Sequence, residues 1–311
     1  MSENLLSGVV VRLHGHHAYV RTDQGEYLCP VRGRLKKGRR RERSPIAVGD
    51  RLRIAPLAGA QQPEASIEEL LPRRTELYRA DPHDPRVRQV LAANVDLLAV
   101  VAGADLLEAQ LATVDRLLAT AHLQRFEPLL IVNKCDLRPR AELEQALAPY
   151  HAMHLRVLYT CAARGELDGL PQVLAGKCAV FAGMSGVGKS SLLNVLDPAL
   201  SLRVGDVDRD GEGRHTTTHV SLLPLGTGWL VDTPGVREFA FYDLKPDELS
   251  LLYPDFAAAR ERCRFSTCTH RNEPHCGVKA AVVAGQIDQG RYERYLGILR
   301  DCWNTEQKLA Y

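Results

Sequence analysis

The sequence has no apolar run that approaches the roughly 18 residues needed to span a bilayer. Its first residues, Met1 to Val11, also lack the basic and then apolar layout of a secretory signal peptide. A strong excess of one charge is missing too, because 40 basic residues face 38 acidic ones and the net charge is only +2. These absences exclude a membrane-spanning chain and predict a cytoplasmic protein.

The composition does provide for a buried core, since 45% of residues are hydrophobic and 25% are charged, as in ordinary globular proteins. A length of 311 residues predicts two domains, or three if some are small. Of the eight cysteines, three lie close together near the carboxyl end: Cys263, Cys268 and Cys276. In a reducing compartment this clustering favours metal binding over disulfides.

A nucleotide-binding motif lies between Gly183 and Ser191, which fits the phosphate-loop pattern Gly-x4-Gly-Lys-Ser/Thr. An apolar run precedes it and a helical pattern follows it, so its glycines can turn backbone N–H groups towards a phosphate. Lys189 would reach the β- and γ-phosphates, and the Ser190 hydroxyl would bind Mg²⁺. The alternative is a Gly/Ser turn that fits by accident. The predicted loop residues are Gly183, Met184, Ser185, Gly186, Val187, Gly188, Lys189, Ser190 and Ser191.

A guanine-selecting motif, Asn-Lys-x-Asp, follows another apolar run at Asn133 to Asp136. The Asp136 carboxylate can accept two parallel hydrogen bonds from N1–H and the N2 amino group of guanine, whereas adenine offers no such donor pair. Asn133 would tie the base edge to neighbouring loops, and the Lys134 stem would cover the base. The alternative is a turn in which Asp136 caps the next segment.

The γ-phosphate side is predicted at Asp232-Thr233-Pro234-Gly235, where Asp232 would hold Mg²⁺ through a water and the Gly235 N–H would sense the phosphate. The polar segment 205–219 has the composition of a loop that becomes ordered on ligand binding. A threonine from it would complete the Mg²⁺ shell. We favour Thr217, with Thr216 as the alternative.

These motifs stand in an unusual order, because the guanine motif precedes the phosphate loop instead of following it. Apolar runs, among them Cys178 to Ala182, alternate over the same region with helical patterns at residues 107–122 and 141–152. This alternation predicts an α/β fold with a mainly parallel sheet. Since the motifs need only converge in space, the sequence predicts a circularly permuted GTPase domain over residues 94–238.

The amino-terminal residues 1–72 contain four short alternating runs separated by turns, at residues 8–13, 18–22, 26–31 and 48–54. This pattern predicts an OB-type β-barrel. Segment 32–43 holds eight basic residues and one acid, which suits RNA phosphates; the alternative is a solvated charged loop. Residues 73–93, rich in arginine and marked by proline, predict a linker.

The carboxyl-terminal residues 239–311 are predicted to form a helical domain around Cys263-x4-Cys268-x-His270-x5-Cys276. Helical patterns at residues 247–260 and 291–303 flank this motif. Three thiolates and one imidazole suit closed tetrahedral Zn²⁺, with no position left for a catalytic water. The metal would therefore be structural. The alternatives are free cysteines in a helical core, or His275 as the fourth ligand.

Together, these motifs resemble the ribosome small-subunit-dependent GTPase A family (RsgA, also called YjeQ or EngC). The resemblance extends over nearly the whole chain, including Ala92-Ala93-Asn94-Val95-Asp96. It implies a monomeric GTPase that binds the 30S subunit and its 16S rRNA late in assembly, is stimulated there, and leaves after hydrolysis. One departure is Cys161, where many members have serine; the N–H of Ala162 is still expected to meet the guanine oxygen.

The catalytic residue is not the glutamine that many GTPases use, because Val236 follows Gly235. Our candidate is His215, and the alternative is a histidine that only caps or packs. Two other functions remain open at this point: a metal-delivery GTPase with exchangeable metal, and an RNA-binding scaffold with a regulatory nucleotide site.

Overall fold

The computed structural model describes residues 5–31, 45–57, 63–81, 87–201, 220–232, 241 and 244–310. Its strands are β1 (Leu6–His14), β2 (His17–Thr22), β3 (Gly25–Pro30), β4 (Arg51–Pro56), β5 (Ala65–Leu70), β6 (Glu76–Ala80), β7 (Arg88–Ala93), β8 (Leu97–Gly103), β9 (Glu127–Asn133), β10 (Arg156–Tyr159), β11 (Cys178–Ala182), β12 (Ser221–Leu225) and β13 (Gly228–Asp232). Its α-helices are α1 (Leu107–Gln124), α2 (Arg140–Ala146), α3 (Ala148–Ala152), α4 (Leu170–Leu174), α5 (Lys189–Leu196), α6 (Ala257–Arg260), α7 (Gly277–Val283) and α8 (Gln289–Ala310).

The chain divides into two compact units that do not follow its order. The first contains residues 1–98, 171–181 and 208–240, and the second contains residues 99–170, 182–207 and 241–311. The domain boundaries predicted at residues 72, 93 and 238 therefore do not coincide with the boundaries of these two units. Every helix among the described residues is too short or too polar to cross a lipid bilayer.

The first unit begins with a small barrel of five strands, in which β1 pairs with β2 and β4, β2 with β3, and β4 with β5. Leu28 on β3 bridges Glu64 beside β5, and its N–H donates to the Pro63 carbonyl oxygen at 2.8 Å, which brings the barrel's two ends together. Alternate residues point inwards, so Val20, Leu52 and Ile54 are fully buried. The barrel strands follow the predicted pattern, except that β5 was not anticipated.

Residues 73–93, predicted to be a linker, instead contain the antiparallel pair β6 and β7. Arg73, which suggested a basic linker, forms a buried ion pair with Asp50 at 2.7 Å, with side chains only 4% and 0% exposed. It also pairs with Glu76 at 3.0 Å. Nothing in the sequence indicated that Arg73 pairs with Asp50, which lies 23 residues earlier. This ion pair links the residues that lead into β6 to the residues that lead into β4 of the barrel.

The same unit contains β11 and β13, which pair in parallel with Val180 opposite Val231. Strand β12 pairs antiparallel with β13 and meets β1 at Ser221 and Arg12. Asp232 is the last residue of β13 and therefore lies at the carboxyl end of a strand.

The second unit contains most of β8 together with β9 and β10, and β9 and β10 are parallel with Val132 opposite Tyr159. These strands are apolar and almost wholly buried, as expected for a parallel sheet. The helix predicted for residues 141–152 is divided into α2 and α3, because Pro149 in the first turn of α3 has no N–H to continue the hydrogen bonding of α2.

The carboxyl-terminal helices belong to this second unit and share its core with Ala119 of α1. A continuous helix predicted for residues 247–260 is interrupted by two 3₁₀ turns, the second of which starts at Pro254. On α1, Asp115 is completely buried and accepts hydrogen bonds from Tyr150, Arg291 and Arg294 at 2.5–2.6 Å. Buried ion pairs as well as apolar packing therefore stabilise the contact between α8 and α1.

Candidate functional site

The predicted phosphate loop connects β11 to α5 and follows a backbone path that requires glycine. Gly183, Gly186 and Gly188 have φ values of +149°, +80° and +92°. A Cβ on Gly183 would lie 2.1 Å from the Val101 carbonyl oxygen, so no larger residue fits there. Lys189 begins α5, and its Nζ donates to the carbonyl oxygens of Gly183 and Met184 at 2.9 and 2.8 Å.

Asn133, at the end of β9, joins the predicted base loop to the phosphate loop. Its Nδ2 donates to the Val187 carbonyl oxygen at 3.0 Å, and its side chain is buried. Its Oδ1 accepts hydrogen bonds from Thr160 Oγ1 and from the Ala162 N–H, both at 3.1 Å. One side chain therefore fixes three loops at the carboxyl ends of neighbouring strands.

The Ala162 N–H was predicted to meet the guanine oxygen, but here it donates to Asn133 Oδ1. A buried amide oxygen has two lone pairs that need donors, and Thr160 and Ala162 supply them. Thr160 was missed by sequence reasoning, although it directly precedes the predicted Cys161-Ala162 pair.

The predicted base-binding side chains Lys134 and Asp136 lie on the turn that follows Asn133. Asp136 is exposed, and its Oδ1 accepts a hydrogen bond from the Cys161 thiol at 3.1 Å. This bond is the main reason that the pKa of Asp136 lies below its usual value. Lys134 has a left-handed backbone, and its Nζ pairs with Asp105 Oδ2 at 3.0 Å.

Of the other residues predicted to lie near the γ-phosphate and Mg²⁺, some belong to the described part of the chain and some do not. Asp232 is described, and burial raises the pKa of its carboxyl group. The switch residues His215, Thr216 and Thr217 and the γ-phosphate residue Gly235 lie outside the described residues, as does the basic segment 32–43.

The four predicted metal ligands, Cys263, Cys268, His270 and Cys276, come together with all their ligand atoms within 4.8 Å of one another. His270 Nδ1 lies 3.6 and 3.4 Å from the sulfurs of Cys263 and Cys276, and these two sulfurs are 4.0 Å apart. Tetrahedral zinc would separate N and S ligands by about 3.6 Å and two S ligands by about 3.8 Å. The donor set and spacing therefore fit zinc.

The surroundings of this cluster also suit a bound cation. Burial lowers the pKa of His270 to about 4, which keeps the imidazole neutral and able to bind a metal. Backbone N–H groups of Gly277 and Lys279 point at the sulfurs of Cys263 and Cys276 at 3.3 and 3.4 Å. The rival ligand His275 is exposed and is not part of the group.

Comparison with known proteins identifies the same family along the whole chain. The sequence model of the RsgA GTPase family matches residues 70–242. The small ribosomal subunit biogenesis GTPase RsgA of Moorella thermoacetica is 37% identical over 310 residues, covering 98% of this chain and 100% of the relative. The protein of the same name from Bacteroides fragilis (strain ATCC 25285) is 32% identical over 314 residues, with coverage of 98% and 100%.

Solved structures agree with the sequence matches. YjeQ from Thermotoga maritima has 30% identity and a TM-score of 0.75, covering 96% of this chain and 99% of that one. YloQ, described as a circularly permuted GTPase, has 25% identity and a TM-score of 0.75, with coverage of 98% and 97%. The predicted fold class is confirmed: an α/β, circularly permuted GTPase fold with an amino-terminal barrel and a carboxyl-terminal segment whose Cys/His cluster fits zinc. The chain therefore belongs to the RsgA GTPase family and is a GTP hydrolase.

Proposed function

We propose that this GTPase acts on the 30S ribosomal subunit late in its maturation, contacts 16S rRNA, and hydrolyses GTP faster when bound there. Support comes from relatives that match end to end and carry the name small ribosomal subunit biogenesis GTPase. The eight basic residues of segment 32–43 add the charge that a contact with RNA phosphates requires. We further propose that it works as a cytoplasmic monomer.

The nucleotide-binding part of this proposal rests on the position of Asn133, whose side chain joins the base loop to the phosphate loop. Because Asn133 fixes Val187 on one side and Ala162 on the other, the base loop and the phosphate loop form one rigid frame. In that frame Asp136 would accept hydrogen bonds from guanine, and Lys134 would lie over the base. Lys189 would leave the carbonyl oxygens of Gly183 and Met184 for the β- and γ-phosphates.

The magnesium ligands are proposed to be the hydroxyls of Ser190 and Thr217, with Asp232 acting through a water. Hydroxyl and carboxylate oxygens are the ligands that Mg²⁺ prefers. Burial raises the pKa of Asp232, and a nearby cation would favour its ionised form. Bound Mg²⁺ would offset the negative charge that builds up on the phosphates during transfer.

The water-orienting residue is proposed to be His215, because the valine after Gly235 cannot form the required hydrogen bond. His215 would act when the protein is bound to the subunit, and the Gly235 N–H would sense the γ-phosphate. We test this assignment with His215→Ala at saturating 30S subunits. Unchanged turnover with unchanged nucleotide affinity would eliminate His215.

The zinc ion is proposed to be structural, because Cys263, Cys268, His270 and Cys276 fill all four tetrahedral positions. A metal-delivery enzyme would instead need an exchangeable ion with an accessible site. Here two of the three thiols are buried, and so is the histidine.

The ribosomal proposal is tested by measuring GTP hydrolysis alone, with isolated 30S subunits and with isolated 50S subunits. We expect acceleration by 30S subunits only. Equal rates under the three conditions would contradict the ribosomal assignment, while leaving the GTPase activity itself unaffected.

A further inference from the structure

A cavity of ≈ 550 Å³ opens in the first unit, where the barrel strands β1, β2 and β4 meet β13. Its walls include a tryptophan, two arginines and small polar groups: Trp229, Arg21, Arg51, Ser7, Thr22 and Asp23. Cavities that bind small molecules usually range from about 300 to about 1,000 Å³, and one nucleotide fits within that range. The nucleotide-site residues described above do not line it.

Trp229 provides an aromatic surface in this cavity. Its side chain is half-buried on β13, and the Arg21 guanidinium lies 6.0 Å from its ring centroid. An indole ring offers a flat face on which any nucleobase can stack, and a neighbouring arginine adds a cation close to the base. Tryptophan is also scarce in this chain, which has only two.

The charges around Trp229 favour an anionic ligand. Arg21 is exposed and shares Glu26 with Arg12, whereas Arg51 is exposed and has no ion pair with any residue that the structure describes. Asp23 is the single acid in the cavity wall. Two guanidinium groups suit a phosphate, and a carboxylate can accept a hydrogen bond from the amino group of a base.

We propose that this cavity binds one nucleotide of single-stranded RNA, with its base stacked on Trp229 and its phosphate held by Arg21 and Arg51. The choice of RNA rests on the proposed ribosomal function, and the eight basic residues of segment 32–43, which follows β3 in the sequence, favour it over an acidic peptide. The site would be separate from the guanine nucleotide site, and it would add to the affinity that segment 32–43 provides.

The test uses the full-length Trp303→Phe protein, in which Trp229 is the only tryptophan. A short oligoadenylate should quench Trp229 fluorescence, and GDP or a double-stranded RNA of equal length should not. In the same background, Arg51→Gln should weaken the apparent affinity about tenfold, as expected for a lost charged hydrogen bond. Arg53→Gln is the matched control, because Arg53 is exposed on the same strand, pairs with Glu69 at 3.3 Å and does not line the cavity.

Each alternative outcome contradicts the inference in a recognisable way. If fluorescence anisotropy shows that labelled RNA binds while Trp229 fluorescence stays constant, the contact lies elsewhere on the protein. Equal loss in Arg51→Gln and Arg53→Gln would indicate general attraction to charge, and equal quenching by an acidic peptide would point to a protein partner. Stimulation of GTP hydrolysis by 30S subunits is measured in parallel. Normal stimulation without quenching would reject this site and leave the proposed function standing.

Discussion

The side-chain amide of Asn133 donates a hydrogen bond to the carbonyl oxygen of Val187, 54 residues further along the chain. A Cβ on Gly188 would come within 2.3 Å of the same nitrogen, so the loop has room for this contact only because glycine follows Val187. The base loop and the phosphate loop are therefore coupled through the Asn133 side chain.

Asn133→Ala should weaken GDP affinity about 100-fold, because three hydrogen bonds of about 1 kcal/mol each are lost. Isothermal titration calorimetry measures the change. Asn272→Ala is the control, since Asn272 is exposed and lies outside the site. Affinity within twofold of the unmodified protein in Asn133→Ala would contradict the coupling.

Asp136→Asn should exchange guanine specificity for xanthine specificity. The amide donates where the carboxylate accepted, and xanthine has a carbonyl oxygen at the position of the guanine amino group. We expect GTP hydrolysis to fall and XTP hydrolysis to appear in a steady-state phosphate-release assay. Loss of both activities would show that Asp136 does more than select the base.

Cys161→Ala should make GDP binding more sensitive to acid. The Cys161 thiol donates to Asp136 and lowers its pKa, so the carboxylate stays ionised as the pH falls. Without that donor the pKa of Asp136 rises towards its ordinary value, and affinity should begin to fall at a higher pH than in the unmodified protein. Cys161→Ser keeps a donor and should retain the original profile. Identical profiles for the alanine and serine variants would contradict the assigned role.

Cys276→Ser should abolish zinc binding and lower the thermal stability of the protein, because Cys276 belongs to the carboxyl-terminal core as well as to the metal cluster. Elemental analysis should find one zinc per unmodified chain. The neighbouring His275→Ala is the matched control and should keep its zinc. Loss of zinc from the His275→Ala variant would indicate that His275 is a zinc ligand.

Asp115→Ala should destabilise the fold by about 3–5 kcal/mol, because it leaves the buried guanidinium of Arg291 without one of its two carboxylate partners. Urea unfolding measures the loss. Asp301→Ala removes a partly exposed pair with Arg116 on the same two helices, and it should cost no more than about 1 kcal/mol. Similar losses in the two variants would argue against a special role for burial.

Local patterns were enough to predict much of the fold. β11 was predicted at Cys178–Ala182, the same residues that form it, and α1 and α8 extend the helical patterns at residues 107–122 and 291–303. Each element has a strong apolar period or run of its own. The Cys/His spacing likewise predicted the four residues that meet in space, because those ligands lie within fourteen positions of one another.

Long-range polar pairs could not be predicted in this way. Nothing near Arg73 in the sequence indicates Asp50, and nothing near Asp115 indicates Arg291, 176 residues away. A basic residue looks the same in a linker as in a buried ion pair until its partner is known.

Asp115 of α1 pairs with arginines of α8, and Ala119 of α1 belongs to the core of the carboxyl-terminal helices. These contacts have a practical consequence for enzymology. A shortened protein ending before α6 would lose the two arginines that pair with the buried Asp115 carboxylate and would expose Ala119 on α1, the helix that precedes β9 and the guanine loop in the chain. The GTP hydrolysis rate of such a protein would reflect its disrupted core rather than the intrinsic activity of the nucleotide site. The contribution of the tail to catalysis is better measured by changing single side chains in the intact chain.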